Sequence, residues 1–478
     1  MLRRLMIVFL AALPALGWLP AQSVPVPIIA SSNVELLATL PDVGAISTAF
    51  DSQKPLMYVN TLNGISIYDI SNPELPMLRG QLPMPHFENE AMAIGERLGE
   101  RKNGERFVLV GLDLWGVTPT EPEAPNVGGY ELIVVDVSDP SAPTVRGRVE
   151  TDTSVHTIQC IGKACRYAYT SGAYEGGRFH VIDLKNLDNP KQTKELHNIA
   201  GSGHQWDVDD KGYMWSTGTQ GAAGYDVSDP MNPKLLASTN AQGVASPYND
   251  FIMHNSYHPK ARNFKADAAP SLKNGNVLLV TEEDYDSPVC GGDAGEGTFS
   301  TWHIPYLNAK RYAKDNRNLN PNAGAMKPLD NWNSEILDSG QRTVAGAFCS
   351  AHYFTFHDSG FIAQGWYQQG TRILDVRDPK NIKQVGYFFT GDTETWHAYW
   401  VPQRNKKGQT TGKDSNIVYT NDVSRGLDIL KVTLPKSSPK ETKNKRAPIL
   451  PEWLAGAPAT ASLPSRKLGF ICRTPLGQ

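Results

Sequence analysis

The sequence predicts an all-β protein assembled from a repeated, several-stranded unit, and three observations carry that reading. The first is residues 131–149, ELIVVDVSDPSAPTVRGRV: the run Leu132-Ile133-Val134-Val135 ends in Asp136, a Ser/Asp/Pro turn follows, and residues 144–149 form a second short strand. Period alone does not separate strand from helix in so short a run, but β-branched content and a Pro-rich turn favour strand. An Asp at a strand end can accept from its own downstream backbone, and each Pro fixes φ in the turn. The second observation is recurrence. Residues 65–76 read ISIYDISNPELP, 180–190 read HVIDLKNLDNP, 224–233 read GYDVSDPMNP and 373–379 read ILDVRDP, while 427–434, LDILKVTL, keeps the strand and lacks the turn. Spacings from roughly 40 residues upward are those of a propeller blade or another repeat array. The third is composition: 10 Trp, 18 Tyr, 42 Gly and 34 Pro in 478 residues suit many short strands and tight turns.

The stretch Leu132-Ile133-Val134-Val135-Asp136 closely resembles the signature of the LVIVD-repeat family of bacterial and archaeal exported proteins. The resemblance extends over residues 34–432. It implies a β-propeller and says little of function, because no activity is common to the family.

On that expectation the chain divides into seven blades, at residues 42–82, 88–149, 154–196, 202–239, 250–345, 350–389 and 394–434. The second carries an insertion at 115–129, and the fifth is the most irregular. Residues 34–40, VELLATL, read as an outer strand with no blade before it, whereas the last repeat has no outer strand after it. The fold expected is therefore a single seven-bladed β-propeller over residues 34–434, closed by the N-terminal strand, which removes a free sheet edge.

The N-terminus has Arg3 and Arg4, then an apolar run at 5–19 and small residues near Ala21. That order is a secretory signal peptide over residues 1–22. The run is about 15 residues long and contains Pro14, short for a membrane span. The expected location is secreted or periplasmic, with no stable membrane insertion after cleavage. In an oxidising compartment Cys160 and Cys165 are placed to bridge a hairpin and Cys290 and Cys349, from consecutive blades, to staple those blades together, with Cys472 left over. Residues 435–478 form a polar, basic-led tail.

The net charge is −3, which gives no global reason to expect nucleic acid, and no Gly-rich phosphate loop precedes a helix, so no nucleotide cofactor is expected. The chemistry lies in a shared position. Each blade begins with an inner strand about 20 residues before its Asp. Blades three to seven place His156, His204, His254, His352 and His397 at the start of that strand; blade two has Glu90 there and blade one Ile46. In a propeller these positions ring one mouth of the central channel. Converging neutral imidazoles suit Cu, Fe or Zn, and carotenoid-cleaving oxygenases, propellers alike in fold only, hold iron on four axial histidines. Acids are expected at the same face: Glu282 in the run Glu282-Glu283-Asp284, and Asp422 after Asn421, with Arg372 and Arg425 in adjacent turns able to hold an anion.

Two functions compete. In the first, the five histidines bind a transition metal, Glu90 is a further ligand or orients a ring, and Glu282 and Asp422 serve as acid/base groups on a small molecule. In the second, the histidines are strand-opening caps and the protein is a binding module for an extracellular or periplasmic protein, through the insertions of blades two and five. A glycosidase pairing of Glu90 with Glu282 is a weaker third. His258 lies four residues beyond His254 on the same strand face, deeper in the channel; His86, His180, His197, His303 and His357 read as surface or loop residues.

Overall fold

The computed structural model describes residues 28–42, 44–84, 89–99, 104–112, 130–172, 178–197, 203–239, 252–284, 297–308, 326–333 and 350–437. The signal segment, the insertion at 115–129, Cys290, Cys349, Cys472, His86 and nearly all of the tail lie outside them.

Seven antiparallel sheets follow one another along the chain, making a seven-bladed β-propeller. The inner strands are Ala45–Phe50, Ala93–Arg97, Thr157–Cys160, Gln205–Val208, Ile252–Tyr257, Phe354–His357 and Thr395–Arg404. The fourth strand of the seventh sheet is Val34–Leu40, antiparallel to Gly426–Val432 with Leu40 opposite Leu427. A strand absent from the sequence reading, Ile28–Ala30, adds a fifth to the sixth sheet against Lys383–Thr390.

Both faces of a blade are covered by its neighbours, so its middle strands lose the usual alternation of apolar and polar exposure. Glu105–Leu112 is buried at every position, whereas the outermost strand Met77–Pro83 is exposed or half-exposed throughout. That is why the repeat core reads as an unbroken aliphatic run. Apolar clusters fill the seams between blades. At the seam between the last blade and the first, Met57 and Val59 pack with Val401, Ile417 and Tyr419, and Leu37 and Leu40 flank them.

In five of the repeats the turn is two Asx turns in tandem. Oδ1 of Asp69, Asp136, Asp183, Asp226 and Asp375 accepts the amide two residues on, at 2.8–3.1 Å. Asn72, Asp139, Asn186, Asp229 and Asp378 repeat the bond three residues later. The Asp of the repeat thus satisfies an amide that has no sheet partner. Asp136→Ala is expected to cost about 1 kcal/mol, read as a shift of the urea midpoint at unchanged slope. A disulfide joins Cys160 to Cys165 across the hairpin turn of blade three, with Cα atoms 4.9 Å apart.

Candidate metal centre

The register residues are set side by side by bonds that run from blade to blade. The Glu90 amide donates to the His156 carbonyl at 3.0 Å, the Thr157 hydroxyl to the His204 carbonyl at 2.6 Å, and the Thr217 hydroxyl to the His254 carbonyl at 2.7 Å. The His352 amide donates to the carbonyl of Gly365, where a Cβ would stand 2.5 Å from the Trp396 carbonyl oxygen; only glycine lets blade seven come this close.

Four of the rings then meet one carboxylate. Nε2 of His156, His254 and His204 lies 3.0, 3.2 and 3.9 Å from Glu90 Oε2, and Nε2 of His352 lies 3.3 Å from Oε1. Neighbouring rings are 4.9, 4.6 and 4.1 Å apart in the order 156, 204, 254, 352. A second acid joins them: Glu283 is 3.5 Å from His254 Nε2 and 3.7 Å from His352 Nε2. Two tyrosines hold the acids, Tyr353 donating to Glu90 at 3.1 Å and Tyr367 donating to Glu283. All of these side chains are buried. On blade one's side the wall is apolar, since Ile46 packs with Tyr367, Trp396 and Val423.

The electrostatics favour an ionised Glu90, with His204 and His254 neutral and His352 drawn toward its charged form. Burial opposes ionisation of Glu90, but the His156, His352 and His254 rings more than offset it and hold it well below the usual carboxylate range. Burial, reinforced by His352, brings His254 down to about 3, and burial with the neighbouring rings holds His204 well below its ordinary value. His352 goes the other way: burial works against its charge, but Glu90 raises it. Burial pushes Glu283 up to about 7, against the pull of His352.

Tested for a metal, the donors fit. Three overlapping groups, Glu90/His254/His352, Glu90/His156/His204 and His204/His254/Glu283, each keep their ligand atoms within 4.8 Å of one another. Two metal–nitrogen bonds of about 2.1 Å span at most about 4.2 Å, so small rotations suffice. His352 Nδ1 donates to the Trp396 carbonyl at 3.0 Å, which turns Nε2 toward two carboxylates. A proton or a cation must stand between them.

The other sequence candidates fall elsewhere. His397 is buried next to the cluster, but its ring is stacked between Tyr353 and Tyr399, at 4.9 and 3.6 Å, and it belongs to none of the three groups. Glu282 is buried one residue before Glu283 and so points from the opposite side of the strand. Asp422 caps a turn: its carboxylate accepts from the Ser424, Arg425 and Glu394 amides and from the Thr393 and Thr395 hydroxyls. Arg425 is engaged with Asp428 and Asp392, and Arg372 with Gln369 and Gln384, so neither stands in wait for an anion. His258 faces oxygen on both ring nitrogens, Asp209 at 2.9 Å and the Gly275 carbonyl at 2.7 Å, so both are already engaged. His180 and His357 are buried strand residues, contrary to their sequence reading as surface or loop positions, because the strands that carry them are covered by neighbouring blades. His303 is half-buried against the Ala268 carbonyl. Glu283, Tyr353 and Tyr367 were not picked out from the sequence. Alternation along Val277–Glu283 could have separated Glu283 from Glu282; nothing local marks the tyrosines.

The family model described as LVIVD repeat matches residues 57–82 and 127–151, that is the second, third and outer strands of blade one and the third and outer strands of blade two. No curated protein matches the chain. Among solved structures it is similar to the β-propeller domain of Cps50 (Swd1) from Myceliophteria thermophila, at 13% identity and a TM-score of 0.49, over 84% of this chain and 100% of that one. That likeness does not bear on function. The chain is a seven-bladed β-propeller that carries LVIVD repeats.

Proposed function

We propose that this protein is an exported metalloprotein in which His156, His204, His254 and His352, with Glu90, hold one transition-metal ion, Cu, Fe or Zn, for a reaction on a small molecule. The observation that carries the reading is four imidazole Nε2 atoms within 3.9 Å of a single buried, ionised carboxylate. One proton can bridge one such pair; a cation satisfies all four at once. Such an ion would supply Lewis acidity, polarising a bound oxygen or activating water or dioxygen. Glu283, held near neutrality and bonded by Tyr367, is suited to take or give a proton beside it. Tyr353 fixes the Glu90 carboxylate and rests against His254 and His352. Export rests on the N-terminal sequence and fits the Cys160–Cys165 disulfide. Among the described residues no helix is long and apolar enough to cross a membrane.

The test is metal analysis of the mature protein, purified without a chelating tag. About one equivalent of Cu, Fe or Zn is expected, and a His204→Ala/His352→Ala variant should lose it. A folded protein that stays metal-free after reconstitution would overturn the reading. Glu90 would then be a polar hub for the inner strands, and the propeller a binding module for an extracellular or periplasmic protein.

A further inference from the structure

Two strands outward from the axial strand of blade three lies a second cluster with no part in the axial site. His180 on Arg178–Asp183 pairs across the sheet with Glu195 on Lys191–His197. Asp152, in the connection from blade two, closes the group. Nε2 of His180 is 3.8 Å from Glu195 and 4.0 Å from Asp152, and the three ligand atoms lie within 4.8 Å of one another.

The ring is what turns this from an acidic surface into a site. His180 is 0% exposed, and its Nε2 is buried with no hydrogen-bond partner. On the other side Nδ1 stands 3.2 Å from the Thr153 hydroxyl, whose own proton has an acceptor in the Ser154 carbonyl at 3.4 Å. With the ring hydrogen on Nδ1, Nε2 turns a lone pair toward two carboxylates. In that tautomer three electron-pair donors converge, a set that a cation would hold together. Gln192 donates to the same Asp152 oxygen that faces the ring, and Arg178 lies 3.9 Å from the same Glu195 oxygen, but a carboxylate oxygen has a second lone pair, so neither contact uses it up. In the triad His357/Asp358/Asp414, beside a cleft of about 420 Å³, the ring nitrogen that faces Asp358 is already engaged. His357 Nδ1 accepts the Ser359 amide at 3.1 Å.

We propose that Asp152, His180 and Glu195 form a second, outer cation site that takes a divalent first-row ion of the zinc class and ties the blade-two connection to the outer edge of blade three. The probe is Zn²⁺ alone, offered to the full mature chain by equilibrium dialysis and counted by metal analysis. The test variant is Asp152→Asn/Glu195→Gln, whose side chains are 70% and 41% exposed and whose loss leaves the buried ring in place. Its zinc affinity at this site is expected to fall at least about tenfold, while the axial equivalent stays. The His204→Ala/His352→Ala variant should do the reverse, keeping the outer equivalent and losing the axial one, so the two sites fail separately. An outer equivalent unchanged in Asp152→Asn/Glu195→Gln would overturn the assignment, as would a wild-type protein that takes up no zinc beyond its axial content.

Discussion

A Glu90→Gln variant is expected to fold as a propeller and to bind its metal more than about 100-fold more weakly, beyond the loss typical of outer-shell partners. Glutamine keeps the shape of the side chain and removes its charge. The four Nε2 atoms would then face a neutral amide, and Glu283, which burial pushes up to about 7, would be the acid left to balance an ion shared among the rings. The same change acts on the metal-free protein. Glu90 Oε2 lies within 3.2 Å of the Tyr353 hydroxyl and of two ring nitrogens, and an amide NH₂ placed there sets donor against donor. With the site wholly buried, the stability cost is about 3 kcal/mol. The two readouts separate the two accounts of the cluster. A metal centre loses both metal and stability. A polar hub loses stability and has no metal to lose. Full metal retention in Glu90→Gln would remove Glu90 from the ligand set and leave the four histidines to be tested alone.

What the sequence made legible, and what it did not, follows from the range of the forces involved. In five repeats the Asp bonds an amide two residues away, so its role is local and can be read from ISIYD or LIVVD directly. The unbroken aliphatic run follows from burial on both faces, a property of every middle strand. The histidine register was legible because a repeat protein places equivalent residues at equivalent heights, and four of the five do converge. His397 departs because its ring is claimed by Tyr353 and Tyr399, a packing choice made by blades six and seven together. Glu283 rather than Glu282 reaches the cluster because a one-residue step along a strand reverses the side chain's direction. Asp422 carries a carboxylate at the expected face, but five nearby donors occupy it. Ile28–Ala30 could not be placed from the sequence, since three residues give no period and their partner is some 360 positions away.

Asp209→Ala is expected to cost about 4 kcal/mol and to leave the axial metal content at its wild-type value. Asp209 is buried between blades four and five. Its Oδ1 accepts the Lys211 and Tyr213 amides at 2.9 and 3.0 Å, shaping the turn after Gln205–Val208. Its Oδ2 faces the Trp215 indole at 3.1 Å and His258 Nδ1 at 2.9 Å. Alanine strands four donors at once. Two belong to large rings packed edge to face, 5.0 Å apart, with no room to turn toward water. His258 would keep only its bond to the Gly275 carbonyl. Because Asp209 and His258 act as a pair, His258→Ala and Asp209→Ala should not be additive: the double variant should be more stable than the sum of the single losses predicts, by at least about 1 kcal/mol. Urea unfolding of the three variants measures this, and metal analysis of the same samples tests the assignment of His258. If His258 were an axial ligand despite its partners, His258→Ala would lose metal. If it is the bridge between blades that its two oxygen partners make it, the variant loses stability and keeps its metal, and the axial set stays with the residues that surround Glu90.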